Sequence, residues 1–326
     1  MNRIKYACAA WALAAGSILP AAAMAAAGYP AQPIKIIVGF PPGQSADVIA
    51  RSLGAELGPE LGTTIIVDNR AGAAGIIGMQ ATAKSPPDGY TLMMSSSTTL
   101  AINPTLYSKL PYDPVADFAP VTPVAKLPLY LVVNADAPVR NIKEFVEYVK
   151  ASPGKYNFGS AGSGLTNHLA MEMFRSAAGL DMVHVPYKGG PAAMTDLIAG
   201  RLTAMFETGP GIRPHLDSGR IRALAVSSLE RSSILPDLPT IAESGYPGFE
   251  AIAWVGLVAP AGTPPAILDQ VSKGVNKVLR QPKLAEHLQS LGGTPYGTTP
   301  EEFAAYIKSE MKLWGDAVRA SGAKVD

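Results

Sequence analysis

The stretch 34–61, IKIIVGFPPGQSADVIARSLGAELGPEL, contains the change of pattern that decides the fold. Residues 34–40 are mostly apolar and rich in isoleucine, which predicts a buried strand. From residue 47 to residue 61 apolar residues recur at helical spacing, which predicts a helix. The loop 41–46 between them is rich in proline, glycine and serine, so the chain passes directly from a strand into a helix.

The same kind of junction recurs at residues 160–166, SAGSGLT, and at residues 186–191, PYKGGP. The first N–H groups of a helix have no acceptor within the helix and carry a partial positive charge, so a helix N-terminus attracts anions. Small loop residues let a ligand approach those groups closely. Three such junctions favour capture of a small anion, although glycine and serine also begin helices in α/β proteins for purely structural reasons.

Residues 1–25 have the pattern of a cleaved signal peptide. Arg3 and Lys5 precede the apolar segment 7–19, and a small-x-small cleavage site follows it. The single cysteine, Cys8, lies inside this leader, so we expect a mature chain without a thiol, a disulfide or a lipid anchor. An exported chain of this size without disulfides predicts a location in the bacterial periplasm.

Charge and length narrow the class further. Cleavage removes two of the 27 basic residues and none of the 26 acidic ones, so the formal charge changes from +1 to −1. The mature chain has no basic tail or stripe, so we expect no nucleic-acid partner. About 300 mature residues exceed what one hydrophobic core usually holds, which predicts two lobes. We expect the protein to be a monomer.

Strand-like and helical segments alternate along the mature chain, which predicts an α/β fold. Residues 34–94 have a βαβαβ order, which indicates a parallel sheet with helices on both faces. The proline-rich segment 111–128 is interpreted as a connection to a second unit, whose first strand is expected over residues 129–133. The tail from about residue 251 is expected to return to the first unit. The predicted lobes are residues 26–126 with 253–326 and residues 127–252, with the ligand cleft between them.

Enzyme and metal motifs are missing from the sequence. The four histidines are not spaced as zinc ligands, and neither a nucleophile elbow nor a phosphate-binding loop occurs. We therefore expect no catalytic residue, no metal and no cofactor. A secreted hydrolase or lyase that pairs His168 with Ser160 or Ser163 is the enzymatic alternative, and no residue pattern that would orient such a base supports it.

The first loop supplies the clearest candidate contacts for a ligand. The side chains of Gln44 and Ser45 and the backbone N–H groups of Ser45 and Ala46 are expected to face it. Asp47 is expected to be mainly structural, because a free carboxylate would repel an anion and because Arg51 follows at the spacing of an ion pair. The hydroxyl-rich run 95–99 adds neutral donors.

The second lobe supplies fewer clear candidates. His168 falls in the first turn of an expected helix and can reach the cleft, although a core or capping histidine is the commoner case. Lys188 is either a direct cation for the ligand or a solvated loop lysine. No cleft loop carries an arginine, so a bound carboxylate would be held by neutral donors, helix dipoles and waters.

Short motifs in a fixed order run through almost the whole mature chain. They are PPG at 41–43, DVIAR at 47–51, DNRAGA at 68–73, PDGYTL at 87–92, LPYDP at 110–114, DFAPV at 117–121, SAG at 160–162, HLA at 168–170, HVPYKG at 184–189, PDLPT at 236–240 and APAGTP at 259–264. In this order the motifs are similar to those of the substrate-binding proteins of tripartite tricarboxylate transporters, the Bug or TctC-like family.

The resemblance implies a two-lobe periplasmic binding protein fold of type II, which closes on a carboxylate like a flytrap. It also implies that the first-lobe loop and two bridging waters hold one ligand carboxylate, and that second-lobe loops contact the distal end of the ligand. The ligand-binding residues expected in this way and from the hydroxyl run are Gly43, Gln44, Ser45, Ala46, Asp47, Ser96, Ser97, Ser160, Gly162, Ser163, Thr166, His168, Tyr187, Lys188 and Gly189. Many relatives have a second glycine at the position of Gln44, so the identity of the ligand cannot be transferred from them.

The resemblance further implies a function in transport. The protein would deliver an organic carboxylate, such as a di- or tricarboxylate or an aromatic acid, to membrane carrier subunits. Acidic amino acids and nicotinate are further ligands of similar proteins. The alternative is that the loaded protein is presented to a sensor kinase without transport.

Overall fold

The computed structural model of the protein describes residues 28–323 and residue 325. The predicted signal peptide, residues 1–25, lies outside the described residues. Within the described part, none of the helices combines the length and the apolar composition that crossing a bilayer requires.

Strands and helices alternate through the described chain. The strands are β1 (Ile34–Val38), β2 (Ile65–Asn69), β3 (Thr91–Ser96), β4 (Phe118–Asn134), β5 (Tyr156–Ser160), β6 (Met182–Pro186), β7 (Ala204–Thr208), β8 (Ile221–Val226), β9 (Ile252–Pro260) and β10 (Thr294–Pro295). The helices are α1 (Ser45–Leu61), α2 (Ile76–Ala83), α3 (Asn103–Leu106), α4 (Ile142–Lys150), α5 (Thr166–Ala178), α6 (Gly190–Ile198), α7 (Gly209–Asp217), α8 (Pro265–Leu279), α9 (Pro282–Ser290) and α10 (Pro300–Ser321).

The sheet of the first lobe has the order β2-β1-β3-β9-β4. Strands β1, β2 and β3 are parallel, as the βαβαβ pattern predicts, because α1 and α2 provide the crossovers between them. Strand β9 lies antiparallel to both β3 and β4. The sheet is therefore mixed, since the returning tail inserts its strand between two strands from the first half of the chain.

Strand β4 belongs to both lobes. Its residues from Phe118 to Pro128 pair with β9, and its residues from Leu129 onward pair with β7 and β8. The interpretation of residues 111–128 as a connection is therefore wrong from Phe118 onward. The prolines mislead because they lack an N–H donor, yet the register of the strand shifts beside Pro120 and Pro123, and such bulges accommodate proline.

The sheet of the second lobe joins β4 to β7, β7 to β5 and β5 to β6. The pairs β5–β6 and β5–β7 are parallel, whereas β4 runs antiparallel to β7 and β8. Helices α5 and α6 follow β5 and β6 after short loops, and α7 follows β7 directly. Their N-termini therefore lie at the carboxyl ends of the strands, where open α/β sheets bind ligands.

One buried serine links the two points at which the chain passes between the lobes. The hydroxyl of Ser227 accepts a hydrogen bond from the N–H of Leu129 at 2.8 Å and donates one to the carbonyl of Ala251 at 2.5 Å. The N–H of Ala251 in turn donates to the carbonyl of Ser227 at 3.0 Å. These bonds hold β4 and the segment before β9 side by side.

The tail packs on the first lobe and also reaches the second. Helix α8 lies against α1, whereas α10 contacts β4, α5 and the π-type turn Thr98–Ile102. The carboxylate of Glu310 on α10 accepts the indole N–H of Trp254 at 2.8 Å and that of Trp314 at 2.9 Å. All three side chains are buried. The bond from Trp254 ties α10 to β9, and the bond from Trp314 lies within α10.

Candidate functional site

A cavity of about 250 Å³ lies between the two lobes, at the carboxyl ends of their parallel strands. Residues of both lobes line it. From the first lobe come Phe40, Gly43, Gln44, Ser45, Ala46, Ser96, Ser97, Thr98, Ala253, Trp254 and Val255, and the part of β4 that pairs with β9 adds Leu127. From the second lobe come Leu129, Ala161, Leu165, Thr166, Asn167, Gly190, Pro191, Met194, Glu207, Thr208, Pro210, Gly211, Pro214 and His215.

The loop before α1 brings the N-terminus of that helix to the cavity. Gln44 is the N-cap and has an extended backbone, and Ser45 and Ala46 are the first two helical residues. The N–H groups of Ser45 and Ala46 have no acceptor within the helix because of their position at its start. Gly43 has a φ of 82°, a left-handed conformation that a glycine adopts without strain.

Asp47 holds this loop in shape from behind. Its carboxylate accepts hydrogen bonds from the N–H of Gly43 at 2.9 Å, from Nε of Arg51 at 3.0 Å and from Nδ2 of Asn69 at 2.9 Å. Burial alone would raise the pKa of Asp47, but these bonds outweigh it and lower the pKa below its usual value of 3.8. Asp47 does not line the cavity, and its ionised carboxylate is occupied by the loop.

Hydroxyl groups bridge the two lobes on either side of the cavity. The Oγ of Ser45 lies 2.5 Å from Oγ1 of Thr208. The Oγ1 of Thr166, at the start of α5, lies 3.0 Å from Oγ of Ser97 and 3.2 Å from Oγ1 of Thr98. Each contact joins a residue of the first lobe to one of the second, so the lobes are in contact around the cavity.

The hydroxyl-rich run 95–99 is buried rather than a polar loop. Ser95 donates to the carbonyl of Gly256 at 2.7 Å and so fixes β3 to β9. Ser96 and Thr99 exchange hydrogen bonds, in which Oγ1 of Thr99 accepts the N–H of Ser96 at 2.9 Å. Ser96 and Ser97 reach the cavity as expected from the sequence, because β3 ends here and the π-type turn Thr98–Ile102 begins.

Ser160 and His168 lie behind the cavity wall. Ser160 is completely buried, and its Oγ is 2.6 Å from Nε2 of His184. The Nδ1 of His168 accepts the N–H of Gly164 at 3.0 Å, and its ring stacks on that of His184 with centroids 3.8 Å apart. Burial, together with the neighbouring His168, lowers the pKa of His184 to about 4. No residue of this group lines the cavity. Among the described residues His168 does not pair with Ser160 or Ser163, because Ser160 bonds to His184 and Nδ1 of His168 bonds to Gly164.

The other second-lobe candidates line a neighbouring cavity of about 580 Å³ that shares Phe40, Gln44, Ala161 and Leu165 with the first. These candidates are Gly162, Ser163, Tyr187, Lys188 and Gly189. The hydroxyl of Tyr187 donates to Asp196 at 2.6 Å, and Lys188 is exposed. We call this cavity the outer cavity, and the cavity of about 250 Å³ the inner cavity. These five candidates line the outer cavity, whereas Thr166 alone of the second-lobe candidates lines the inner cavity.

Sequence reasoning missed the polar pair Glu207 and Thr208. The pair ends β7 and is followed by Gly209-Pro210-Gly211 at the start of α7. This is a further strand–glycine–helix junction of the kind that marked the other loops, so the signal was present. Trp254 and His215 were also missed as lining residues.

The charges around the inner cavity are unusual for an anion site. Among the described residues that line it there is no lysine or arginine. Burial raises the pKa of Glu207 above its usual 4.5, although hydrogen bonds from Thr208 oppose this. Burial, together with the neighbouring charge of Arg220, lowers the pKa of His215 below 6.5, so its imidazole is neutral at pH 7. The cavity therefore combines neutral donors, a helix N-terminus and apolar walls with one acidic side chain, Glu207, and its helix N-terminus and neutral donors are suited to binding a small organic acid.

Known proteins are similar to this chain in sequence and in fold. BugT of Bordetella pertussis is 40% identical over 306 residues, covering 94% of each chain. The periplasmic binding protein BugD superimposes with a TM-score of 0.85 at 36% identity, covering 91% of this chain and 99% of that one.

Two related structures contain an acid. Rpa4515 with adipate, from R. palustris, has a TM-score of 0.88 at 32% identity, covering 91% of this chain and 100% of that one. MatC of Rhodopseudomonas palustris with bound malate has a TM-score of 0.82 at 30% identity, covering 89% of this chain and 100% of that one. The family model of the tripartite tricarboxylate transporter family receptor matches residues 49–323. The chain therefore belongs to this receptor family, that of the Bug proteins, whose members are periplasmic substrate-binding proteins with a two-lobe fold and not enzymes.

Proposed function

We propose that this protein captures a small organic carboxylate in the inner cavity and delivers it to the membrane carrier subunits of a tripartite transporter. The observation that carries the proposal is the N-terminus of α1, whose first residues Ser45 and Ala46 line the same cavity as neutral hydroxyls and apolar side chains. The relatives that contain adipate and malate support a carboxylate as the ligand.

The proposed contacts divide between the lobes. The N–H groups of Ser45 and Ala46 and the side chain of Gln44 hold one carboxylate. The hydroxyls of Ser97 and Thr166 face the rest of the ligand. The outer cavity with Lys188 serves only a ligand long enough to extend past Gln44, because Gln44 lines both cavities.

We propose that the lobes, residues 26–126 with 253–326 and residues 127–252, move as units about the two crossings beside Ser227. The partners of β4 change between Pro128 and Leu129, within two residues of the proposed boundary, which supports a division at this part of the strand. Opening at the crossings would part the Ser45–Thr208 and Ser97–Thr166 contacts and expose the cavity. Closing would restore them and exclude water from the bound acid.

A thermal-shift screen of the mature protein against mono-, di- and tricarboxylates and aromatic acids tests the binding proposal. An acid at 100 times its dissociation constant adds about 2.7 kcal/mol to the free energy of unfolding. The primary amides of the same acids serve as controls, because they keep the skeleton and lose the charge. If no acid, or only the amides, raised the melting temperature, the proposal would be wrong.

Uptake tests the proposed partner. Membrane vesicles containing the carrier subunits are expected to take up the identified acid only when the loaded protein is added. If uptake were unchanged by the protein while binding remained tight, delivery to a carrier would be refuted. Binding to a sensor kinase is the use that would then remain to be tested.

A further inference from the structure

Glu207 presents an unpartnered carboxylate oxygen at the inner cavity. Its Oε1 accepts the N–H of Thr208 at 2.8 Å and the hydroxyl of Thr208 at 3.0 Å. Its Oε2 makes no hydrogen bond with any described residue. A Cβ built on Gly190 would lie 2.5 Å from Oε2, so the glycine at the start of α6 is what leaves room for this oxygen.

No neighbouring group compensates the charge of Glu207. It is the only acidic residue among the described residues that line the cavity, and none of those residues forms an ion pair with it. His215 is neutral at pH 7, because burial and Arg220 lower its pKa. Thr208 contributes only neutral donors. Glu207 is half-buried and its pKa is raised, so its ionised form is favoured when a donor binds its free oxygen.

Glu207 lies close to the place proposed for the ligand carboxylate. Two hydrogen bonds in series, of 2.5 Å and 3.0 Å, connect Oγ of Ser45 through Thr208 to Oε1 of Glu207. A ligand carboxylate at the N-terminus of α1 is therefore a near neighbour of a second carboxylate. Repulsion between two neighbouring carboxylates disfavours binding, unless the ligand itself places a donor between them.

We infer that Glu207 determines specificity, by selecting carboxylates that carry an ammonium or hydroxyl donor on the carbon next to the bound carboxylate. The inference rests on the proposed function, since it places the ligand carboxylate at Ser45 and Ala46. The ligand's carboxylate binds the helix N-terminus, and its donor binds Oε2 of Glu207. An acid without such a donor leaves Oε2 unsatisfied. Of the two donors an ammonium binds more tightly, because it also neutralises the charge.

Two matched series of acids test the inference by calorimetry at pH 7. One is succinate, malate and aspartate, and the other is butyrate, 2-hydroxybutyrate and 2-aminobutyrate. Within each series only the donor changes, from none to hydroxyl to ammonium. The wild-type protein is expected to bind the amino acid about tenfold to a hundredfold more tightly than the unsubstituted acid, since a hydrogen bond to a charged group contributes on this scale. The hydroxy acid is expected between them.

The variant Glu207→Gln separates charge from shape. Its amide keeps an oxygen for Thr208 and replaces Oε2 by a donor, so the preference for the amino acid is expected to fall below threefold. Glu286→Gln is the matched control, because it makes the same change of charge on the exposed face of α9 and leaves the order of affinities unchanged. Glu207→Asp keeps the charge and is expected to keep the order with a smaller spread.

The outcomes distinguish the inference from the proposed function. If the wild-type protein bound all members of a series equally, the function would stand and the inference would be wrong. The same conclusion would follow if Glu207→Gln kept the wild-type order. If no acid bound to either protein, the proposed function itself would fail. If Glu207→Gln does not fold, the wild-type series still tests the preference and Glu207→Asp still tests the assignment of that preference to Glu207.

Discussion

Replacing Thr166 by valine removes a hydroxyl that joins the lobes and leaves the shape of the side chain unchanged. In the structure this hydroxyl contacts Oγ of Ser97 at 3.0 Å and Oγ1 of Thr98 at 3.2 Å. Each hydrogen bond contributes about 0.5–1.5 kcal/mol net, so the two together contribute about 1–3 kcal/mol to closure. Because the ligand is enclosed only when the lobes are in contact, we expect the dissociation constant for the tightest acid to rise between about fivefold and 150-fold.

Calorimetry on a double-mutant cycle gives the decisive version of this measurement. Ser97→Ala removes the Ser97–Thr166 hydrogen bond from the side of the opposite lobe. The double variant Ser97→Ala with Thr166→Val loses this bond only once, so its effect should be smaller than the sum of the two single effects. We expect a coupling free energy of about 0.5–1.5 kcal/mol in binding. The free energy of unfolding without ligand should change less than the binding free energy, because the bond lies between lobes rather than within one.

Additive effects of Ser97→Ala and Thr166→Val, with a coupling within the error of about 0.5 kcal/mol, would refute the reasoning. The same holds if Thr166→Val bound the acid as tightly as the wild-type protein. In either case the Ser97–Thr166 contact would not contribute to closure on the ligand.

Three further predictions concern single side chains. Gln44→Gly should keep the fold but change the ranking of acids measured by calorimetry. A lost hydrogen bond from the amide to a carboxylate costs about 1.5–3 kcal/mol, while larger acids gain the vacated volume. Equal affinities in both forms would show that Gln44 does not contact the ligand. His184 has a pKa of about 4 when folded and about 6.5 when unfolded, so the unfolded chain binds more protons between these values and stability falls as the pH is lowered through this window. The pKa difference corresponds to at most about 3 kcal/mol, and because the ring is partly exposed we expect urea unfolding to detect roughly half that loss. If the free energy of unfolding of a His184→Gln variant changed as steeply between pH 6.5 and 5 as that of the wild-type protein, this assignment would be contradicted. Glu310→Ala should lower the free energy of unfolding by about 2–6 kcal/mol, because it leaves the indole N–H groups of Trp254 and Trp314 buried without an acceptor. Glu310→Gln should lower it less. Equal losses for the two variants in urea unfolding would contradict the role of the Glu310 carboxylate.

Local chemistry explains why much of the fold could be predicted from the sequence. The turn residues between apolar strands and helices are read over a few positions, and the strand predicted over residues 34–40 and the helix predicted over residues 47–61 correspond to Ile34–Val38 and Ser45–Leu61. Strand β4 could not be predicted in this way. Its prolines read as breakers in the local sequence, and only the distant strand β9 supplies the irregular pairing that accommodates them.

The site shows the same division between local and long-range information. The start of α1 and the reach of Ser97 to the cavity follow from junctions that are visible in the sequence. The direction in which Ser160 and His168 point does not, because it depends on His184, which lies on a neighbouring strand. Glu207 was missed for a different reason. A single acid at the end of a strand reads as solvent-exposed until the structure places apolar walls around it.

A crystal structure of the protein with its tightest acid tests the central claim most directly. We predict the acid in the inner cavity, with one carboxylate within hydrogen-bond distance of the N–H groups of Ser45 and Ala46 and with Ser45 still beside Thr208. An acid bound instead in the outer cavity, with its carboxylate on Lys188 and none at the N-terminus of α1, would contradict the account.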